Sequence, residues 1–484
     1  MFNLPHSGIK LNLRKEPALS GPVFCADMPK TAFLPLKSGG KDFYPEGLKI
    51  GSEVQRGQIL AYAREDRELR IISPFDGIYE GIAEKKHPYY RRISCLQIST
   101  SGGGGEETTE DEAAAEGVIA DAAAISGTDA VRGTAQDSGA TEDVTAQGEE
   151  TSAAGSVMSE DDKTALEEED ILDIPLPDMT LSQLAERAKA AGIIDETDGV
   201  FLYEKLLEAD ESCCAAAVSS LDSRPFASSG TAALLKYKKE VCGGLRLISQ
   251  AMGGVSKHIL IYGEECAGKI AGDSIGDIKL VKLVGNYPFM PMLPDGAFII
   301  GVQAAKALYD ACADDKLNFK QIITVSGSAV GNPQNIEAYI GTPIIELIEH
   351  CSLDLRPGRI LADNVMMGQS ISASSVVFPG LSAITVLTDK ETRHATACIG
   401  CGRCVNVCPK KIMPCYILRD YQNENINGED FRRAQSCIGC GLCSYVCPSG
   451  INVAKIVARS ANVLRRAALY EHAARQGGQQ EESV

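Results

Sequence analysis

Eight cysteines near the C-terminus fall into two copies of one spacing. The copies read Cys398-x2-Cys401-x2-Cys404-x3-Cys408 and Cys437-x2-Cys440-x2-Cys443-x3-Cys447, and a proline follows each of them. Three cysteines spaced in this way can wrap their sulfurs around one metal centre, while the turn after the third carries the fourth cysteine away. Proline ends that turn because it has no backbone N–H to donate. The pattern therefore predicts a small folded unit built around inorganic cofactors.

The spacing is typical of ferredoxins with two 4Fe-4S clusters, in which the fourth cysteine of each copy ligates the other cluster. The predicted ligands of cluster I are Cys398, Cys401, Cys404 and Cys447. The predicted ligands of cluster II are Cys437, Cys440, Cys443 and Cys408. Zinc sites are the alternative, but they pair two C-x2-C units across a longer loop and need no third cysteine. Transfer of single electrons is the predicted chemistry, and no side chain is assigned a catalytic role.

Nine further cysteines have no ligand spacing, and we predict that they are small, buried, apolar residues. They are Cys25, Cys95, Cys213, Cys214, Cys242, Cys266, Cys312, Cys351 and Cys415. The adjacent pair at 213 and 214 has an alternative interpretation as a redox pair. Free thiols beside iron–sulfur ligands predict a reducing, cytoplasmic location. We expect no signal peptide, and no run approaches ~18 apolar residues, so membrane attachment would require partner subunits.

The acidic charge of the chain is concentrated in one stretch. The formal net charge is -18, and residues 102–170 contain 20 Asp or Glu residues against only Arg132 and Lys163. This stretch has too few large apolar side chains to offset the entropy of ordering. We therefore predict a disordered acidic linker over 102–172. An inert, solubilising linker is the favoured interpretation, and a spacer between moving domains or an interaction segment is the alternative. The remainder is neutral and has no basic aromatic patch, so nucleic acid is not a predicted partner.

The segment before the linker alternates short apolar runs with turn signals. Residues 51–58 read G-x-x-V-x-x-G-Q, and residues 73–77 read S-P-x-D-G. These segments resemble the barrel-sandwich hybrid of biotinyl and lipoyl carriers. The hairpin tip between them, Arg64 to Glu68, has no lysine for a swinging arm. We therefore predict that this domain keeps the fold and has a packing role.

The segment after the linker predicts an α/β domain that extends to about residue 312. Thr180 and Gln183 form a capping-box pattern that opens an amphipathic helix, Leu181 to Ala191. Further on, Gly263 to Lys269 fit the G-x4-G-K of a phosphate-binding loop. Ile270 stands where a hydroxyl residue would bind Mg²⁺, so we interpret this segment as a turn that ends a strand.

Residues 322–333, I-I-T-V-S-G-S-A-V-G-N-P, and 339–348, Y-I-G-T-P-I-I-E-L-I, predict a strand, a turn, a second strand and a helix. Pro343 is the predicted first residue of that helix. Together with Met366-Met367-Gly368 and the paired cysteine motifs, these segments resemble the RnfC family of the Rnf electron-transport complex. They also resemble related soluble proteins, the corrin reductases and the electron-transfer partner of proline reductase.

The resemblance covers nearly the whole chain and implies a multidomain fold of the α/β and α+β classes. The implied units are a barrel-sandwich hybrid (1–101), the linker (102–172), an α/β domain similar to the NADH- and FMN-binding subunit of respiratory complex I (173–312), a β-grasp, SLBB-like domain (313–388), a ferredoxin domain (389–464) and a C-terminal helix end and tail (465–484).

The chain departs from the family where FMN and NADH would bind. The family's flavin loop reads G-x-G-G-A-x-F-P-T, but the corresponding stretch, Gly192 to Phe201, keeps only Gly199 in the loop and carries three acids. The counterpart of the family's E-C-E-P-Y segment, residues 222–226, has Arg224 in place of its second acid. Of the family's Y-P-x-G-G-E-K element, only the first two residues remain, as Tyr287 and Pro288. These departures predict weakened or lost FMN and NADH binding, with the clusters retained.

Two functions follow from the resemblance. The first is a relay of electrons through two 4Fe-4S clusters between a partner oxidoreductase, linked to NADH, flavin or ferredoxin, and an acceptor. The second is an active NADH:FMN dehydrogenase module of an ion-translocating Rnf complex, or a soluble reductase subunit. Iron–sulfur subunits of heterodisulfide or glycerol-phosphate oxidoreductases share the cysteine repeat but lack the upstream segments. The expected partners are membrane Rnf-type subunits, a partner oxidoreductase or a ferredoxin-like protein, with a peripheral position on the inner membrane face where membrane subunits bind.

Overall fold

A computed structural model of the chain describes residues 9–100, 176–209, 213–222, 224–253, 257–266, 270, 272–288, 293–294, 296–317, 319–363, 365–388, 394–465 and 467. The predicted acidic linker, the Ala267-Gly268-Lys269 end of the phosphate-loop-like segment and the predicted C-terminal tail beyond 467 lie outside these ranges. Within the described ranges, no helix combines the length and the apolar character needed to cross a bilayer. The fold is a mixed α/β, multidomain one, with four sheets and a C-terminal helical unit that carries the cysteine motifs.

The first unit is built from two four-stranded sheets. After the short helix α1 (Glu16–Leu19), the strands are β1 (Phe24–Cys25), β2 (Thr31–Pro35), β3 (Lys37–Ser38), β4 (Lys41–Pro45), β5 (Glu53–Val54), β6 (Ile59–Ala63), β7 (Arg70–Ile72), β8 (Gly77–His87) and β9 (Arg91–Thr100). One sheet has the order β2-β9-β8-β5 and the other β3-β4-β6-β7. Buried and exposed residues alternate along the first half of β8, as expected for a sheet that covers a core with one face.

The tip of the β6–β7 hairpin carries no lysine, and it packs on the next unit. Lys189 donates from its Nζ to Asp66 and to Glu68 at the tip, at 2.7 Å each. These ion pairs connect the tip to the first helix of the next unit. Although β1 lies inside the predicted segment 1–101, it pairs in parallel with a strand of a later sheet, at Ile336 and Glu337.

The second unit surrounds a five-stranded sheet. Its elements are α2 (Leu181–Ala190), α3 (Leu202–Glu208), β10 (Ala215–Ser219), α4 (Ser229–Lys236), α5 (Lys238–Ala251), β11 (His258–Gly263), β12 (Ser274–Ile275), β13 (Ile278–Leu283), β14 (Ala297–Gly301) and α6 (Val302–Ala313). The order is β12-β13-β11-β10-β14, and all pairs except β12 with β13 are parallel. Strand β10 is buried on both faces because helices cover a parallel sheet. The predicted capping box is confirmed at Thr180 and Gln183.

The third unit is a six-stranded sheet with one helix. Its elements are β15 (Lys320–Ser326), β16 (Gln334–Tyr339), α7 (Ile344–His350), β17 (Pro357–Ala362), β18 (Gln369–Ile371) and β19 (Ala383–Thr388). The order β1-β16-β15-β19-β17-β18 includes the N-terminal strand. The predicted strand, turn, strand and helix are confirmed. The helix begins one residue later than predicted, since the extended backbone of Pro343 makes it the N-cap.

The C-terminal unit consists of short helices around the cysteine loops. They are α8 (Arg403–Asn406), α9 (Pro414–Gln422), α10 (Glu429–Arg432), α11 (Leu442–Tyr445) and α12, which runs over 453–465. Their apolar core includes Ile412, Ile417, Val453 and Val457. The described part of α12 packs on this unit through Val453, Ala454 and Val457.

Candidate metal centre and the neighbouring crevice

The two cysteine copies fold in the same way. In each, a glycine before the third cysteine adopts left-handed backbone, with φ of 71° at Gly402 and 80° at Gly441. That conformation suits glycine because no Cβ clashes, and each glycine caps a one-turn helix. The third cysteines, Cys404 and Cys443, are the second residues of these helices and are buried. The local sequence thus turns three sulfurs of each copy toward one centre.

A small cavity, which we call the cluster I cavity, lies beside the first copy. The four cysteines predicted to ligate cluster I all line it: Cys398, Cys401, Cys404 and Cys447. Cys447 belongs to the second copy, so the fold brings together sulfurs that lie far apart in the sequence. A fifth cysteine, Cys415, lines the same cavity.

The remaining four predicted ligands are also brought together. Burial raises the pKa of Cys437 and of Cys440, and the charge of Cys408 from the first copy raises both further. Burial raises the pKa of Cys443 to about 12, with added contributions from its two neighbours Cys440 and Cys437. Crowded, buried thiols of this kind resist ionisation unless a cation compensates for the negative charge, which metal ligation supplies.

These residues fit 4Fe-4S clusters. Thiolates are the ligands that such clusters require, and each set offers four of them, three from one copy and one from the other. Across the described ranges, no three Cys, His, Asp or Glu side chains converge as tightly as a single metal ion would need.

The two cysteine sets differ in their exposure. Cys398 and Cys401 lie in an exposed loop, and the intervening Ile399 is 70% exposed. The other set faces the body of the protein: Tyr287 donates from its Oη to the backbone carbonyl of Cys440 at 2.7 Å. Tyr287 also packs with Leu442 and with the N-terminal segment in one apolar cluster. Cluster I would therefore lie at the surface and cluster II would lie next to the α/β unit.

In the α/β unit, the carboxyl ends of the parallel strands β10, β11 and β14 lie at one edge of the sheet. Open parallel sheets usually bind ligands in a crevice at this edge, and we use that name for the region. On its β14 side, the Glu196 carboxylate accepts hydrogen bonds from the backbone N–H of Gln303 at 2.7 Å and of Ala304 at 3.1 Å. These amides form the N-terminus of α6, which would otherwise attract a phosphate. Burial and the neighbouring Asp195 raise the pKa of Glu196. The anion site of this helix is thus taken by the chain's own side chain.

The β10–β11 side of the crevice is filled in the same way. Asp222 accepts from the backbone N–H of Gly230 at 3.1 Å and of Thr231 at 2.9 Å, which open helix α4. The buried Lys15 ammonium inserts between the Asp222 carbonyl and the Glu265 carboxylate. An N-terminal lysine and two acids therefore contact one another and the start of α4 at the carboxyl ends of β10 and β11.

The remaining flavin-loop residues have structural roles. Gly199 has φ of 75° and is exposed, and its N–H donates to the Asp195 carbonyl at 2.8 Å to close a turn. Asp195 is buried and pairs with Lys205 at 2.5 Å. Arg224 donates to the Ser382 hydroxyl at 2.9 Å.

Sequence reasoning missed several residues. Cys25 was predicted to be buried and apolar, but it is exposed, and the Lys236 ammonium donates to its sulfur at 3.2 Å. Nothing in the sequence linked Lys15 to the crevice. Cys415 was grouped with the plain apolar cysteines, although aligning the two copies would have set it opposite Ala454 and marked it as different.

The chain matches known proteins over part of its length. A family model described as a 4Fe-4S dicluster domain matches residues 397–451. The C subunit of an ion-translocating oxidoreductase complex from Methanosarcina acetivorans is 37% identical over 120 residues, 24% of this chain and 27% of that protein. The C subunit of a Na⁺-translocating ferredoxin:NAD⁺ oxidoreductase complex from Acetobacterium woodii is 32% identical over 135 residues, 27% of this chain and 30% of that protein.

A longer match, 26% identical over 273 residues, joins 50% of this chain to 35% of the corresponding C subunit from Pseudomonas aeruginosa. The chain thus spans about a third or less of the length of these relatives. An NAD⁺-reducing [NiFe]-hydrogenase structure is similar with a TM-score of 0.38 and 12% identity over 60% of this chain and 62% of that one, which is too weak to carry an argument. The sequence matches and the dicluster domain agree with one another: the chain is an RnfC-like protein.

Proposed function

We propose that the chain is an iron–sulfur electron-transfer subunit of an Rnf-type oxidoreductase complex, which relays electrons through two 4Fe-4S clusters. The observation that best supports this proposal is the position of Cys447, which lines the cluster I cavity together with three cysteines of the other copy. When bound, the clusters would accept and release single electrons. The protein's own residues hold the sulfurs, bury the inner set and leave the outer loop accessible.

We propose that each cluster takes three cysteines from one copy and its fourth from the other copy, which we call the crossed assignment. Cluster I takes Cys398, Cys401, Cys404 and Cys447, and cluster II takes Cys437, Cys440, Cys443 and Cys408. The proximity of Cys408 to Cys437 and Cys440 supports the second set. Cluster I would exchange electrons with an external partner, since its loop is exposed, and cluster II would lie on the path toward the interior.

The crossed assignment makes a testable prediction. Cys408→Ser should lose cluster II although it lies in the first copy, and Cys447→Ser should lose cluster I although it lies in the second. Iron content should fall from about eight atoms per chain to about four in each variant. Electron paramagnetic resonance of the reduced protein should show a different remaining signal in each. Cys312→Ser, a half-buried cysteine outside the motifs, is the control. Loss of the same signal from both variants would refute the crossing.

FMN and NADH do not fit the crevice. Glu196 already accepts from two amides at the start of α6, and Asp222 accepts from two at the start of α4. A phosphate at either helix would have to displace that acid. We therefore propose that electrons enter from a partner oxidoreductase and not by hydride transfer in this chain. Titration of the purified chain with FMN, followed by flavin fluorescence, should show no saturable binding. One tightly bound flavin per chain would favour the active NADH:FMN dehydrogenase instead.

The proposal includes a division of the chain into domains. We propose a barrel-sandwich hybrid in 1–101, a complex I-like α/β domain in 173–312, a β-grasp, SLBB-like domain in 313–388 and a ferredoxin domain in 389–464, joined by the linker 102–172 and followed by the tail 465–484. Membrane Rnf-type subunits or a ferredoxin-like carrier are the proposed partners. Association with them would hold the chain on the inner face of the cell membrane, and pull-down from a membrane fraction with the tagged full chain tests this.

A further inference from the structure

An extended N-terminal segment, residues 9–13, lies against residues 437–443, which we call the cluster II loop. Half-buried and exposed positions alternate along the segment: Ile9, Leu11 and Leu13 are half-buried, and the two residues between them are exposed. A period of two is that of an extended chain with one face on a core. The segment therefore turns three apolar side chains to the protein and its polar side chains to water.

The three apolar side chains pack in one group with the cluster II loop. The buried members of this group are Tyr287, Val407 and Leu442, and the proposed ligand Cys440 packs against them together with the segment. Met366 belongs to the same group and covers the loop from the third unit. The surroundings of Cys440 are thus built from apolar side chains of several units.

Hydrogen bonds hold the segment in place at both ends. At its start, Ile9 and Tyr287 exchange two backbone hydrogen bonds, of 3.1 and 2.9 Å. At its end, the Leu13 carbonyl accepts from the Phe226 N–H at 2.7 Å. Since Tyr287 also donates from its Oη to the Cys440 carbonyl, one residue joins the segment to the cluster II loop. The segment is therefore fixed on the α/β unit, while its apolar face lies on the loop.

The matching loop of the first copy is open to solvent. At the second cysteine of each motif, Cys401 is exposed and Cys440 is half-buried. Two residues later, Arg403 of the first copy is exposed, whereas Leu442 of the second copy is fully buried. The second copy thus has an apolar residue where the first has a charged one, which suits a loop that another segment covers.

We propose that residues 9–13 exclude water from cluster II and thereby lower its reduction potential. This inference rests on the proposed function, because it presupposes the clusters. Reduction adds negative charge, which apolar surroundings stabilise less than water does. Solvent exposure is one of the factors that set the potentials of such clusters, and the apolar shell controls that exposure. A lower potential of cluster II favours transfer of its electron to the exposed cluster I.

The test is a redox titration of the full chain with reconstituted clusters, followed by electron paramagnetic resonance. Leu11→Asn places a polar group in the apolar face and should admit water. At a fixed potential, its ratio of reduced to oxidised cluster II should rise about tenfold, which corresponds to 59 mV for one electron. The cluster I potential should not move. Leu355→Asn, the same exchange at a leucine of the third unit that is 56% exposed, is the control and should shift neither cluster.

A second measurement reports on water directly. In deuterated water, the electron spin echo modulation from deuterium near reduced cluster II should be weak in the parent chain and stronger in Leu11→Asn. Cluster I should give strong modulation in both chains. An iron content of about eight atoms per chain shows that both clusters remain.

A milder variant keeps the test decisive if Leu11→Asn loses cluster II. Leu11→Ala shortens the side chain without adding a polar group, so it should raise the ratio of reduced to oxidised cluster II by less than the asparagine variant. Three results would overturn the inference: an unchanged cluster II potential in the Leu11 variants, an equal shift in Leu355→Asn, or deuterium modulation in the parent chain that is as strong at cluster II as at cluster I. Absence of any cluster from the parent chain would instead refute the proposed function.

Discussion

Single residues could be assigned from the sequence where spacing alone defines the chemistry. The eight motif cysteines follow a local pattern. In the structure, four of them line one cavity, and Cys408 of the first copy lies near Cys437 and Cys440 of the second. Cys25, Cys415 and Lys15 could not be assigned, since their surroundings depend on contacts between segments far apart in the chain. Lys15, for example, meets Glu265 across 250 positions.

His87, at the end of β8, gives a residue-scale prediction. It is buried against Phe378 and Tyr90, and burial lowers its pKa to about 4. The unfolded chain binds a proton near pH 6.5 and the folded chain does not, so stability should fall as the pH drops from 6.5 toward 4. Between pH 7.5 and 5.5 the loss should be about 1 kcal/mol, measured as a shift in the midpoint of denaturant unfolding.

The His87→Asn variant tests this assignment. Asparagine offers an oxygen that can replace the ring nitrogen, which accepts from the Tyr89 N–H at 3.2 Å. The variant should be less stable at pH 7.5 because it loses the ring packing, but its stability should change less with pH than that of the parent. An equal pH dependence in both chains would assign the effect to another group.

Elements were predicted best where their end signals are local. The capping box at Thr180 set the start of α2, and the apolar run before Gly263 identified β11. From the three acids of the flavin-like loop, the sequence predicted only that the loop would repel a phosphate. That Glu196 caps a helix more than a hundred positions away depends on the fold, which sequence periodicity does not contain.

Capping of α6 by Glu196 gives an element-scale prediction. Glu196→Ala removes the acceptor of two buried amides and should lower the free energy of unfolding by about 1–2 kcal/mol. Glu196→Gln keeps one oxygen acceptor and should cost less. Denaturant unfolding followed by circular dichroism measures both. Glu186→Ala, an exposed acid on α2, is the control, and an equal loss there would show that the effect is unrelated to capping.

At the scale of the whole molecule, charge is separated along the chain. Residues 102–170 carry the net charge of -18, whereas residues 394–465 contain nine basic and four acidic residues. This gives the C-terminal unit a charge of +5 before its clusters are counted, and eight of the basic side chains are exposed. The sequence revealed the acidic stretch directly. The fold leaves these basic side chains, which come from several helices and one loop, on the exposed surface of the C-terminal unit.

This separation predicts the chemistry of the redox partner. Opposite charges speed association at low salt, so an acidic carrier should react fastest with this surface. Lys410→Glu/Lys411→Glu changes the charge by −4 beside Cys408 without touching a ligand. In stopped-flow experiments with a reduced acidic ferredoxin, the electron-transfer rate should fall about tenfold at low ionic strength.

Salt provides the internal control for this experiment. At high ionic strength the charges are screened, so the rates of the parent and the variant should converge. The variant Lys49→Glu/Lys239→Glu makes the same change in charge at exposed positions on the other units, and it should leave the rate close to that of the parent. If both double variants slow the reaction equally, net charge and not the cluster surface directs the partner.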